Sequence, residues 1–207
     1  MNAHRIFGKL PTRLQESLVK NSAFIIALTL LTCPTLALAE RYDIDGRHTF
    51  PVFEVDHYGF SIQRGRFGKV GGSLDFDPER QAGSVDVIID AHSVDMGSED
   101  WNKHMRGERF FNAAQYPTLR FTARDFRLDA DKPSRIAGSL TLLGVTRPLT
   151  LAVTRWRCAK HPILPRQLCG ANLETTIRRS DFGMNYGLPG IGDEVRILIP
   201  IEAIKES

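Results

Sequence analysis

Few residues in this chain could do covalent or acid–base chemistry, and they are scattered. Beyond residue 39 the histidines are His48, His57, His92, His104 and His161, and the cysteines are Cys158 and Cys169. Catalysis by proton transfer needs such groups to converge within hydrogen-bond reach of one reacting atom. His57 shares the apolar face of its strand with Phe53 and Val55, while Asp56 points the other way because side chains alternate along a strand. His57 therefore reads as a hydrogen-bonded core histidine, not a base. His48 follows Asp45 closely enough to be a turn contact. The chain has no G-x-S-x-G elbow, no H-E-x-x-H helix and no phosphate loop. His104 and Met105 are adjacent on a helical stretch and point in different directions, so they cannot ligate one iron together. No C-x-x-C-H haem attachment signal is present.

The cysteines suggest a different chemistry. An even pair in an exported chain reads as a disulfide. The alternative, a metal site recruiting His161, supplies three ligands at a spacing that matches no zinc pattern. Cys158–Cys169 is therefore expected as a bridge, and no metal is expected.

The elements that carry these residues are mostly strands. Phe53, Val55 and His57 alternate with Glu54 and Asp56, and Leu74 and Phe76 with Asp75 and Asp77. Val85, Val87 and Ile89 share one face, as do Leu119, Phe121 and Ala123. Leu140 and Leu142, then Leu149, Leu151 and Val153, then Leu173, Thr175 and Ile177 follow, and Val195 to Ile201 closes the series. Period-two alternation over short runs, punctuated by Gly71-Gly72, Asp77-Pro78, Gly144 and Pro189-Gly190, means half-buried antiparallel strands. One segment departs from this rhythm. Ser98 can cap a helix whose first turn holds Glu99 and Asp100, with Trp101, Met105 and Glu108 at helical spacing. The expected fold is all-β, about eight antiparallel strands with one short helical insert. Closing the sheet into a barrel would remove its exposed edges. Eight strands enclose a space that side chains can fill or that can hold one small ligand.

The amino terminus predicts export. Arg5, Lys9, Arg13 and Lys20 precede a short apolar run from Ala23 to Thr32, then Pro34 and Ala37-Leu38-Ala39. A basic head, a short apolar middle and an A-x-A end make a secretory signal, with cleavage expected after Ala39. The run is too short for a spanning helix of roughly 20 residues. Thr32 precedes Cys33 where lipidation would call for a smaller residue. Removal of residues 1–39 takes four cations and one acid, leaving 23 of each, so the domain over 40–207 is formally neutral. That balance gives no clustered basic face for nucleic acid. The expected location is the periplasm.

Several stretches, in order, make the chain resemble the YceI-like family over nearly all of residues 40–207. They are Tyr42-Asp43-Ile44-Asp45 with His48; Gly65-Arg66-Phe67; Phe110-Phe111-Asn112 to Tyr116-Pro117-Thr118 and Phe121; Gly138-Ser139-Leu140-Thr141-Leu142 with Gly144-Val145-Thr146-Arg147-Pro148-Leu149; Arg179-Ser180-Asp181-Phe182-Gly183-Met184; and Ile191-Gly192-Asp193-Glu194-Val195. The resemblance implies an eight-stranded antiparallel lipocalin-like barrel whose interior binds polyisoprenoid or similar long-chain lipids. Two departures stand out. Trp101 and Asn102 occupy positions where the family carries an Arg-Asp pair, and the stretch from Cys158 to Cys169, with Pro162 and Pro165, is a local elaboration.

The residues support the same reading. A long hydrocarbon needs a dry, continuous apolar lining, and burial stabilises it by about 0.8 kcal/mol per CH₂. The candidate lining is Phe53, Val55, Phe60, Ile62, Phe76, Ile89, Phe121, Leu140, Leu142, Phe182 and Met184, with Met105 and Phe111 closing over it. Each of these positions is also compatible with ordinary core. The function expected is a periplasmic carrier of a polyisoprenoid or polyprenyl-tailed quinone, with no cofactor beyond that lipid and with transient membrane contact. The competing readings are an isomerase or hydrolase acting on an isoprenoid lipid, and a haem or electron-transport accessory protein. The sequence leaves the oligomeric state open.

Overall fold

The computed structural model describes residues 39–129 and 134–207. The export leader expected over 1–39 lies outside the described residues, apart from Ala39. The elements run β1 (Glu40–Ile44), β2 (Val52–His57), β3 (Ser61–Phe67), β4 (Val70–Asp77), β5 (Ala82–Asp90), β6 (Val94–Asp95), α1 (Glu99–Arg106), β7 (Thr118–Arg127), β8 (Ser134–Leu142), β9 (Val145–Lys160), β10 (Gln167–Arg178) and β11 (Ile191–Lys205).

These eleven strand segments form eight staves of one closed antiparallel barrel. The segments β1 and β2 both pair with β11, through Tyr42–Ile44 and Val52–His57. On their other side they pair with β4 and β3. The next stave is bent in the same way, since β3 pairs with β6 while β4 pairs with β5. From β5 the ladder passes through β7, β8, β9, β10 and β11 in chain order, and β11 meets β1 to close the ring. Each stave therefore contacts its sequence neighbours, and the ring through β1, β4, β5, β7, β8, β9, β10 and β11 closes on itself, while β6 pairs with β3 alone.

Local chemistry explains where the staves bend. Between β1 and β2 the chain leaves the ladder, and the fully buried Thr49 hydroxyl accepts from the Glu202 N–H at 3.1 Å in place of a backbone carbonyl. In the same turn the Asp45 carboxylate accepts from His48 Nδ1 (2.8 Å), the Arg47 N–H (3.0 Å) and Arg47 Nε (3.2 Å). Burial works against its charge, but these donors outweigh it and hold the carboxyl at about 2. This is the turn contact expected of His48. The helix α1 enters between β6 and β7, with the Ser98 hydroxyl capping the Trp101 N–H, as the sequence predicts.

Interior packing dictates two glycines. A Cβ on Gly65 would lie 2.3 Å from the Phe53 ring, and one on Gly138 would lie 2.6 Å from the Phe121 ring. Each glycine makes room for an aromatic ring on the adjacent stave.

Cys158 and Cys169 face each other across β9 and β10 and form the expected disulfide, with Cα atoms 4.1 Å apart. The loop is short, so the bridge stabilises by about 3 kcal/mol on chain-entropy grounds. Replacing both cysteines by alanine is expected to lower Tm by roughly 6–12 °C for a chain of this size. Thermal unfolding followed by circular dichroism checks this, and a shift below roughly 2 °C would show that β9–β10 pairing alone sets the stability of this hairpin.

Candidate functional site

The barrel encloses an apolar cavity of about 180 Å³. That exceeds the ~150 Å³ of an engineered apolar cavity that stays dry and takes benzene. The lining runs the length of the barrel. At one end it includes Ile44, Trp156, Cys169 and Ala203; at the other it includes Met105, Phe110, Phe111, Met184 and Ile191. On β11, Val195, Ile197, Ile199, Ile201 and Ala203 all face it. Those eight steps span roughly 27 Å of strand. With the tilt of barrel strands this is roughly 20 Å along the axis.

The wall follows from the period-two pattern. Inward positions carry mostly branched or aromatic side chains, with Gln63 and Gly65 on β3 as exceptions, and registered partners share a face, so the apolar rows of neighbouring staves merge. The helical insert supplies the cover at one end. Met105 is buried beneath α1, and Phe111 turns back through its N–H to the Met105 carbonyl (3.0 Å). Its ring meets Phe67 at 5.1 Å and Phe53 at 5.9 Å, both edge-on or tilted against it.

Polar side chains in the wall are Thr49, Thr175 and Arg179, and each is engaged by the protein. The Thr49 hydroxyl bonds to Glu202 backbone, and the Thr175 hydroxyl donates to the Thr150 carbonyl at 3.0 Å. Arg179 is 3% exposed. It donates from Nε to the Gly192 carbonyl, from Nη1 to that of Met184 and from Nη2 to that of Ile191, each at 2.8 Å. Burial lowers its pKa, partly opposed by the charge of Asp193. That carboxylate is itself held by the Ser180 N–H and hydroxyl. Arg179 thus clamps the loop before β11 against the cavity wall. Among the described residues, no three of His, Cys, Asp and Glu come together as a metal-binding set. The arrangement can hold an apolar chain through contact area; it presents no converging acid and base at the wall.

Phe53, Val55, Ile89, Met105, Phe111, Phe121, Leu140, Leu142 and Met184 line the cavity. Phe76 and Phe182 are buried but do not line the cavity; the Phe76 ring packs edge-on against Trp156 at 5.1 Å. Phe60 and Ile62 are corrected: they are 89% and 49% exposed on the outside of the barrel. The register places His57 opposite Ser61, so odd-numbered residues of β3 face inward with Phe53 and Val55, and the even-numbered Ile62 faces out. His57 is also corrected. Its ring packs edge-on against Tyr58 (4.9 Å) and Trp101 (6.4 Å) rather than taking a core hydrogen bond. Wall residues that the sequence list lacked include Arg179, Trp156, Phe110 and Phe126. Phe126 and Trp156 face inward only because a bulge precedes each of them, after Ala123 on β7 and after Val153 on β9, and shifts the parity by one, so the alternation read upstream would have placed both outside. No pattern of period two marks Arg179.

Residues 42–203 match the model of the YceI-like domain. The chain belongs to the YceI-like family. Protein YceI of Salmonella arizonae is 31% identical over 185 residues, covering 88% of this chain and 96% of that protein. Among solved structures, BcnA of Burkholderia cenocepacia aligns with a TM-score of 0.65 and 25% identity, over 77% of this chain and 98% of that one. A polyisoprenoid-binding domain from Saccharophagus degradans aligns with a TM-score of 0.60 and 19% identity, over 82% and 99%, a likeness of fold. Within this YceI-like barrel the departure at Trp101-Asn102 is now placed. Trp101 is 46% exposed, whereas Asn102 accepts from the Met96 N–H at 2.6 Å and so ties α1 to the end of β6.

Proposed function

We propose that this protein is an exported carrier that encloses a single long apolar lipid, a polyisoprenoid or the polyprenyl tail of a quinone, without altering it chemically. The observation that carries the reading is the wall itself: a continuous apolar lining along the barrel, with its polar groups already bonded to the protein. Such a wall gives affinity through area. Each buried CH₂ contributes about 0.8 kcal/mol, and many of them together offset the cost of immobilising the ligand. The shared fold of the polyisoprenoid-binding domain supports the same ligand class. The disulfide supports an oxidising compartment, which for an exported bacterial-type chain is the periplasm.

Native mass spectrometry of protein recovered from periplasmic extract without detergent tests the proposal. The expected spectrum shows one bound lipid per chain, released unchanged on denaturation. Protein that is ligand-free on recovery and gains no thermal stability from added long-chain polyprenol or ubiquinone would refute it.

A further inference from the structure

The β9–β10 hairpin carries a feature that the cavity does not use. Its turn, His161 to Arg166, displays Ile163 at 86% exposure with Leu164 beside it, between Pro162 and Pro165. Exposed aliphatic side chains at a turn tip lose the benefit of burial unless something covers them. The tip is also held rigid. The Cys158–Cys169 bridge braces the strands beneath it, and the His161 N–H donates to the Arg166 carbonyl at 2.8 Å. His161 Nδ1 accepts from the N–H groups of Ile163 (3.1 Å) and Leu164 (3.0 Å). A pre-ordered tip loses little conformational freedom when it is covered.

The charge around the tip is one-sided. From Val145 to Leu173 the sequence contains Arg147, Arg155, Arg157, Lys160 and Arg166 and no Asp or Glu, in a domain that is formally neutral as a whole. Among the described residues, Arg155, Arg157, Lys160 and Arg166 have no ion-pair partner. Lys160 and Arg166 share a surface cleft with Gln167, Lys205 and Glu206. Glu206 in that cleft is engaged by Arg41, and Lys205 there by Glu40.

We propose that this hairpin docks the barrel on an anionic lipid bilayer, with Ile163 and Leu164 entering the headgroup region and Lys160 and Arg166 seating on lipid phosphates. An apolar tip flanked by unpaired cations is the pairing that interfacial binding requires, since area and charge attraction add. The strands that carry the tip also supply Trp156 and Cys169 to the cavity wall, so docking brings this end of the cavity to the membrane. The proposal does not depend on what occupies the cavity.

Vesicle flotation of the disulfide-bonded protein tests it, with large vesicles of phosphatidylcholine alone or mixed with phosphatidylglycerol. Flotation is expected with the mixed vesicles, weakening as salt is raised but unaffected by millimolar inorganic phosphate. Each of K160Q and R166Q is expected to lower partitioning ~5-fold, the equivalent of ~1 kcal/mol per cation at an anionic surface. The double change Ile163→Ser with Leu164→Ser should lower it at least ~10-fold. Phe60→Ser, at the opposite end of the barrel, should leave it unchanged. Because the tip side chains are exposed, urea unfolding midpoints should match the parent and exclude misfolding as the cause. The proposal is overturned if the parent protein fails to float with the mixed vesicles, if the tip variants float as well as the parent, or if Phe60→Ser abolishes flotation. Release by inorganic phosphate alone would also overturn it, by showing a free-phosphate site in place of a docking surface.

Discussion

Arg179→Met is expected to destabilise the fold by roughly 3–6 kcal/mol, because each hydrogen bond from a charged donor contributes about 1.5–3 kcal/mol and the three are not fully additive. The guanidinium donates to three carbonyls, those of Met184, Ile191 and Gly192, and methionine leaves all three without that partner on the inner side of the barrel. Lysine restores little. Its ammonium is a point donor, and it cannot match a planar fork that reaches carbonyls on two sides of a loop. Arg196→Met provides the contrast. Arg196 bonds Glu174 at 2.9 Å and also approaches Glu54 at 3.5 Å, yet it is exposed. Exposed ion pairs contribute little because water and salt screen them. The arginine with two acidic partners should therefore matter far less than the one bonded to three backbone carbonyls. Urea unfolding of the three variants decides this. Equal midpoints for Arg179→Met and Arg196→Met would mean that the loop before β11 is held by its own packing.

Arg179, although it heads one of the family's stretches, is absent from the expected wall for a physical reason. Period-two alternation reports which side chains avoid water, and it is blind to a cation whose hydrogen bonds let it sit among them. The same limit explains the error at Phe60 and Ile62. Alternation fixes parity within one strand, but which parity faces inward is set by the register with its neighbour. Tyr58 and Gly59 both take positive φ in the turn before β3. The resulting pairing of His57 with Ser61 puts Gln63, Gly65 and Phe67 on the inward row. Gly65 and Gln63 made that row look polar, and the adjacent row carried Phe60 and Ile62, so hydrophobicity alone selected the wrong one. The Phe53 ring and the Met96 sulfur, both lying over Gly65, show why a glycine belongs there.

Elsewhere the pattern sufficed. On β7, β8, β9, β10 and β11 the inward residues Leu119, Phe121, Leu140, Leu142, Leu151, Leu173 and Ile199 were all readable, because each lies in a run of alternation that no bulge interrupts; past the bulges of β7 and β9 the parity changes, and Phe126 and Trp156 were missed. The helix was legible from Ser98, Glu99 and Asp100, since capping is a local interaction that does not wait for tertiary structure. What local signals could not say is whether the enclosed space is filled by side chains or open. That depends on the sum of side-chain volumes across all eight staves, and it is the quantity on which the carrier reading turns.

Alanine substitution distinguishes a filled core from a wall that waits for a ligand. Phe76 is fully buried, packs edge-on against Trp156 and does not line the cavity. Phe76→Ala is therefore expected to cost about 3–5 kcal/mol whether or not lipid is present, the ordinary cost of emptying a packed site. Leu142 faces the cavity beneath the helical cover, and part of its surface meets no protein atoms. In delipidated protein Leu142→Ala should cost under about 2 kcal/mol, at or below the low end for a buried leucine. Phe121 is intermediate, since its ring packs on Gly138 on one side and borders the cavity on the other. The contrast should reverse when lipid is added. A ligand at 100 times its Kd stabilises the parent by about 2.7 kcal/mol, and the loss of contact at Leu142 or Phe121 weakens Kd and so shrinks that increment, while Phe76→Ala leaves it nearly intact. Measuring urea unfolding of each variant, delipidated and then loaded with a long-chain polyprenol, reads both effects on one scale. If Leu142→Ala shows the full core penalty without lipid, and the parent gains nothing from lipid, the interior is a core and the barrel carries no hydrocarbon.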